Sequence, residues 1–145
     1  MGKSAMIDQE IFYPLLAMAA LTFVVWWRMF FSRIGQMKRD RIHPQSVATS
    51  AQVTTRLTDS RASDNFRNLF ELPVLFYVVV LLLAISGLAT TTAMALAWAF
   101  VALRILHSAI QCTYNKVMHR FAVYTAGGLV LWCLWAHLAI GLMGA

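Results

Sequence analysis

Acidic residues are scarce in this chain: 6 aspartates and glutamates stand against 12 lysines and arginines in 145 residues. Charged residues of both signs make up only 12% and hydrophobic ones 60%, and the apolar residues run in blocks too long for a soluble core. Cysteine is equally sparse. Cys112 and Cys133 lie far apart and belong to no metal-ligand spacing, so neither a disulfide framework nor a zinc site is expected. There is no Ser-His-Asp pattern, no phosphate-binding glycine loop and no internal repeat, which removes the sequence basis for triad hydrolysis, P-loop nucleotide binding and repeat transporters.

What the chain does have is four apolar blocks, Ile11–Phe31, Phe70–Ala89, Ala93–Ile110 and Phe121–Met143. Each is close to the ~20 residues that cross ~30 Å of hydrocarbon. The reading is an all-α integral membrane protein, a four-transmembrane-helix bundle occupying residues 1–145 as a single domain, with helices at about 11–37, 60–89, 93–113 and 119–143 and a long cytoplasmic connection over 38–59. Asp8 and Glu10 precede the first block and no small-x-small cleavage site follows it, so it is read as a mature helix, not a signal peptide.

The net charge of +6 would suit nucleic acid, but the positions of the cations mark topology instead. Arg33, Lys38, Arg39, Arg41, Arg56, Arg61 and Arg67 lie in or beside the first connection, and Lys116 and Arg120 beside the third. The N-terminal tail holds only Lys3, and the second turn and the C-terminal tail hold none. By the positive-inside rule the first and third connections are cytoplasmic and both termini lie on the far side.

Along the chain, His43-Pro44 is expected to stop the first helix, residues 45–60 read as a polar surface loop with room for a short helix, and Asp59 or Ser60 caps a second helix that Pro73 kinks. Gly127 and Gly128 permit close packing of the fourth helix. The five tryptophans read as belt or lipid-facing residues, the eight methionines as packing filler, and His137 as interfacial.

Polar residues interrupt the apolar spans at three places. Asp64, Arg67, Asn68 and Glu71 are spaced i, i+3, i+4, i+7, as are Arg104, His107, Ser108 and Gln111, and Arg120 lies one turn before Tyr124. The topology puts all three clusters at one membrane level. Ionisable groups at such depth persist by pairing, and Glu71, the only acid within an apolar span, is the expected partner of Arg104 or Arg120. The cluster reads either as a structural polar knot that fixes helix register, or as a site whose surplus positive charge attracts an anionic ligand.

At these residues the chain resembles the MAPEG family, the membrane-associated proteins in eicosanoid and glutathione metabolism. The resemblance covers nearly the whole chain and rests on Arg67-Asn68-x-x-Glu71, Arg104-x-x-His107 and Arg120-x-x-x-Tyr124, with a similar Gly35-Gln36-x-Lys38 exit from the first helix; the run NFRNLFELPVLFY looks most like bacterial members. It implies a homotrimer in a bacterial inner membrane, with glutathione as co-substrate between subunits near the cytoplasmic face. By position, Lys38, Arg67, Asn68, Glu71 and His107 would be glutathione-binding, Arg104 ligand-binding or structural, and Arg120 and Tyr124 catalytic, with no metal. The implied activity is thiol transfer to, or peroxidase action on, lipophilic small molecules reached from membrane lipids. A non-catalytic scaffold or lipid-binding trimer is the alternative. Three positions depart from a synthase-type member: Asp64 replaces an arginine, Gln111 a tyrosine, and Phe121 a serine.

Overall fold

The structure is a computed structural model and describes residues 9–144; Lys3 and Asp8, used above for topology and processing, lie outside the described residues. It is all-helical: α1 (Phe12–Arg39), a 3-10 turn (Pro44–Val47), α2 (Ser50–Arg56), α3 (Arg61–Asn68), α4 (Leu72–Ile85), α5 (Thr91–Cys112) and α6 (Val117–Met143). Four stretches are long and apolar enough to cross a membrane: α1, α3 with α4, α5, and α6. At 1.5 Å per residue even the shortest, α5, reaches the ~30 Å that hydrocarbon requires.

Helix α1 is the outermost of the four. It turns a heptad stripe inward, Ile11, Met18 and Val25, all nearly inaccessible, and leaves Tyr13, Leu16, Phe23, Trp26, Trp27, Phe30 and Phe31 exposed. Pro14 sits in its first turn, where the missing N–H had no helical partner. The helix does not run on to His43-Pro44. It ends at Arg39, where the Ile42 N–H bonds back to the Met37 carbonyl at 2.9 Å and Arg41 takes φ 51°. This is the Schellman termination, with arginine in the left-handed position that glycine ordinarily fills.

The connection is more ordered than its composition suggested. Thr49 and Gln52 form a reciprocal capping box at the start of α2, with backbone-to-side-chain distances of 3.3 and 3.1 Å. The buried amide of Gln36 then clasps the far end of the connection: its Nε2 donates to the Asp59 carbonyl at 2.9 Å and its Oε1 accepts from the Asp59 N–H at 3.0 Å. Ser60 occupies the N-cap of α3 but its hydroxyl donates to Asp64 (2.6 Å), while the Asp59 carboxylate accepts from the Arg61 N–H.

The second span is broken, not kinked. Leu69–Glu71 separates α3 from α4, with Glu71 at φ −98°, ψ −106°. Pro73 lies in the first turn of α4, where its ring fits without loss of a helical hydrogen bond, so this proline opens a helix instead of bending one.

The centre of the bundle packs Phe76 of α4 against Phe100 of α5, stacked at 4.7 Å between ring centres, with Leu131, Leu134 and Leu138 of α6 closing over Ala93 and Ala97. Lipid tails are as apolar as these side chains, so close van der Waals fit is what favours the association. Small residues on α5 permit that fit. The α4–α5 turn uses Gly87 at φ +66°, and Thr90 caps α5 through Ala93 N–H (3.2 Å) while meeting Nε2 of His137 at 2.9 Å.

Candidate functional site

One face of α5 carries Ala93, Ala97, Phe100, Val101, Arg104, His107, Ser108 and Gln111, all buried. Its first half is apolar and its second half polar, so the bundle interior changes character toward the α5 C-terminus. The polar half meets α3 and the start of α6.

There Asn68, Glu71, His107, Val117, Arg120, Phe121 and Tyr124 line a side-opening cavity of about 250 Å³. Five of the eight predicted site residues meet here. The Tyr124 hydroxyl donates to Glu71 Oε2 at 3.2 Å, Asn68 Nδ2 donates to Gln111 Oε1 at 3.0 Å, and Arg120 Nη1 donates to Asn115 Oδ1 at 2.7 Å. The His107 ring lies 5.7 Å from that of Tyr124.

Arg104 does not line the cavity; it lies directly behind it. Only 1% exposed, its guanidinium sits 4.6 Å from the Tyr124 ring centre and 5.3 Å from that of Phe100, and none of its nitrogens has a hydrogen-bond partner among the described residues. Gly127 makes the space: a Cβ there would meet Arg104 Nη2 at 3.3 Å. The expected pairing of Glu71 with Arg104 or Arg120 is therefore not found. Glu71 takes the Tyr124 hydroxyl, Arg120 takes an amide, and Arg104 is held by aromatic faces whose quadrupoles attract a cation.

Two predicted residues stand elsewhere in the chain. Lys38 lines a groove at the end of α1, and Arg67 lines a depression with Arg33 and Asp64, 3.8 Å from the Asp64 carboxylate. The i, i+3, i+4, i+7 set of α3 is divided accordingly: Asp64 and Arg67 face outward, and only Asn68 and Glu71 reach the cavity.

Several residues of consequence were not anticipated. Asn65 is fully buried; it accepts from Ser108 Oγ at 3.2 Å and contacts Cys112 Sγ at 3.4 Å. Arg28, within the first apolar block, donates to the Cys112 carbonyl, and Arg61 Nη1 to the Thr113 carbonyl at 2.6 Å, so two arginines from different helices cap the C-terminus of α5. The departures named above also find places. Gln111 holds Asn68, Phe121 forms an apolar lip of the cavity, and Asp64 receives the Ser60 hydroxyl. Cys112 and Cys133 are free thiols, and no cluster of metal-ligating side chains occurs among the described residues.

Compared with known sequences, residues 11–140 match the family model described as "MAPEG family". No match is found among curated proteins or solved structures.

Proposed function

Because the chain belongs to the MAPEG family, we propose that its cavity binds glutathione or a related thiol and presents the thiolate to lipophilic electrophiles arriving from the bilayer, as a transferase or peroxidase. The observation that carries this reading is the donor set gathered at one membrane depth from three helices. Arg120 is the cation beside the open space, Glu71 is a carboxylate with one oxygen not engaged by protein, and Asn68 and Tyr124 add an amide and a hydroxyl. A tripeptide thiol offers the matching groups: carboxylates for the guanidinium, an ammonium for Glu71, and a thiol that must ionise to attack.

A free thiol has a pKa of ~8.5 and loses its proton more readily beside a guanidinium. Arg120 is placed to stabilise the anion, and the Tyr124 hydroxyl, released from Glu71 when that carboxylate takes the ligand's ammonium, to donate a hydrogen bond to it. His107 orients the ligand, and Arg104, behind the Tyr124 ring, fixes that ring. Phe121, exposed at the lip, gives an apolar co-substrate a surface to lie on. Lys38 and Arg67 would contribute only across a subunit boundary, as in a homotrimer with the site between copies.

The test is thiol-dependent conjugation of chlorodinitrobenzene by purified protein, in which the thiolate displaces chloride. Arg120→Ala should lower kcat/KM by at least about 10²-fold, the scale on which loss of one charge-stabilising donor acts. Purified protein that neither binds glutathione by calorimetry nor develops thiolate absorbance would refute the assignment.

The internally bonded pairs Asn65–Ser108 and Asn68–Gln111 favour a second reading, a non-catalytic scaffold or lipid-binding trimer in which the polar cluster serves assembly. On that reading Glu71→Gln and Arg104→Ala dissociate the oligomer and no thiol ligand is detected. An intact oligomer in both variants counts against it.

A further inference from the structure

We propose that the groove at the cytoplasmic end of α1, lined by Ile34, Met37, Lys38, Arg41, Ile42 and Pro44, is a binding site for an anionic phospholipid, with the headgroup phosphate held by Lys38 and Arg41 and the glycerol and upper acyl chains lying on the apolar floor. The groove is distinct from the cavity lined by α3, α5 and α6; Lys38 is the one residue shared with the thiol reading, which would have it reach a neighbouring copy, and Arg41 has no part in that reading.

Charge accounting supports the first half. The connection and α3 carry three carboxylates, and each has an arginine of its own: Asp40 with Arg39 at 2.9 Å, Asp59 with Arg61 at 2.8 Å, and Asp64 with Arg67 at 3.8 Å. Lys38, Arg41 and Arg56 have no ion-pair partner among the described residues, and of these Lys38 and Arg41 are exposed together at the rim of one groove. Unneutralised cations just beyond a membrane helix, over an apolar floor, complement a lipid phosphate with its chains attached.

The backbone supplies an independent argument. Arg41 occupies the left-handed position of the Schellman turn, where φ is 51° and glycine is the unstrained residue. The turn's own hydrophobic pair, Met37 and Ile42, forms part of the groove floor, so the strained residue projects its charge from the structure that builds the floor. Strain kept where glycine would relieve it points to a role for the side chain.

The approach to the groove is also lipid-like. Trp27, Phe31, Ile34 and Lys38 are spaced i, i+4, i+7, i+11 on one face of α1, and Trp27 and Phe31 are exposed. They make a continuous strip from the hydrocarbon-facing part of the helix to the basic rim.

The deciding experiment is native mass spectrometry of the full chain, delipidated in detergent and offered phosphatidylglycerol and phosphatidylcholine of identical chains in competition. Wild type should prefer the anionic lipid, by about fivefold for each cation. Arg41→Gly removes the charge while relaxing the turn, so it should keep the melting temperature of wild type and lose about fivefold in preference. Lys38→Gln, at an exposed helix position, should do the same, and Lys116→Gln, in the third connection, should change nothing. Equal binding of the two lipids by wild type, an unchanged preference in both folded variants, or full competition by inorganic phosphate at equal concentration would overturn the proposal.

Discussion

Arg104 is the residue on which the interior of this protein turns. An arginine in an apolar span normally finds a carboxylate or water, yet this one rests between Tyr124 and Phe100, with Gly127 leaving space for its Nη2. Burying a cation without hydrogen bonds is unfavourable, and apolar replacements of similar volume at such positions are often neutral or stabilising by about 1–4 kcal/mol. Arg104→Met is therefore expected to melt no lower than wild type, whereas Arg104→Ala, which leaves a cavity between two rings, should lose about 2–4 kcal/mol by thermal unfolding in detergent. If Met proves as damaging as Ala, the guanidinium has a partner that the single chain does not contain. The position of Arg104 was legible from its sequence spacing, its partner was not. A charge in a hydrophobic run calls for compensation, but sequence cannot say whether a carboxylate or a π-face supplies it, and Gly127 read simply as a packing glycine.

At the level of elements, the C-terminus of α5 depends on side chains borrowed from elsewhere. Its last carbonyls lack helical partners and carry the negative end of the helix dipole, and Arg28 and Arg61 supply cations to Cys112 and Thr113. Removing Arg28 should fray that end by about 1 kcal/mol, visible in Arg28→Met as faster hydrogen exchange over residues 110–114, with exchange of the α5 midpoint unchanged. Arg61 also hydrogen-bonds Asp59 and so holds its carboxyl below the usual aspartate range. A carboxyl that is more acidic folded than unfolded stabilises above its unfolded pKa of about 4, and that contribution disappears as pH falls below it. Protection factors over residues 57–62, corrected for the intrinsic exchange rate, should accordingly fall below about pH 4 in wild type, and those of Asp59→Asn should stay constant over the same range. The four spans were readable because bilayer thickness fixes how long an apolar helix must be. Arg28 was overlooked because a single cation inside an otherwise apolar block does not disturb the pattern of the block. Helix α2 was signalled by Thr49-x-x-Gln52, which a search for hydrophobic periodicity passes over. Asn65 was missed for a different reason: the polar face was drawn through Asp64 and Arg67, one residue out of register with the face that α3 actually buries.

For the whole molecule, the uneven packing of the helices is the governing feature. Only 11% of the apolar window of α1 is buried, compared with 44% for α5, so α1 presents most of its circumference to whatever surrounds the chain. The cavity at Asn68, Glu71, Arg120 and Tyr124 likewise opens to one side, lined from α3, α5 and α6. If the wall on that side belongs to a neighbouring copy, native mass spectrometry of detergent-solubilised protein should give three times the 16.3 kDa chain mass, and thiol binding should vanish on dissociation to monomer. A monomer that still binds glutathione would place the whole site within one chain.

The three residues between α3 and α4 have a mechanical meaning as well. A continuous helix is a stiff rod: tilting one end swings the other, and a ligand pulling on the first turn would strain the last. Leu69–Glu71 interrupts the rod at the level of the cavity, so the two segments set their registers separately: α3 is tied to α5 through Asn65–Ser108 and Asn68–Gln111, and α4 stacks Phe76 on Phe100. Glu71 sits at that break, with its carboxylate tied to Tyr124 of another helix. A shift of either segment against the other is therefore expected to be taken up at the break, beside the Glu71–Tyr124 contact that lines the cavity.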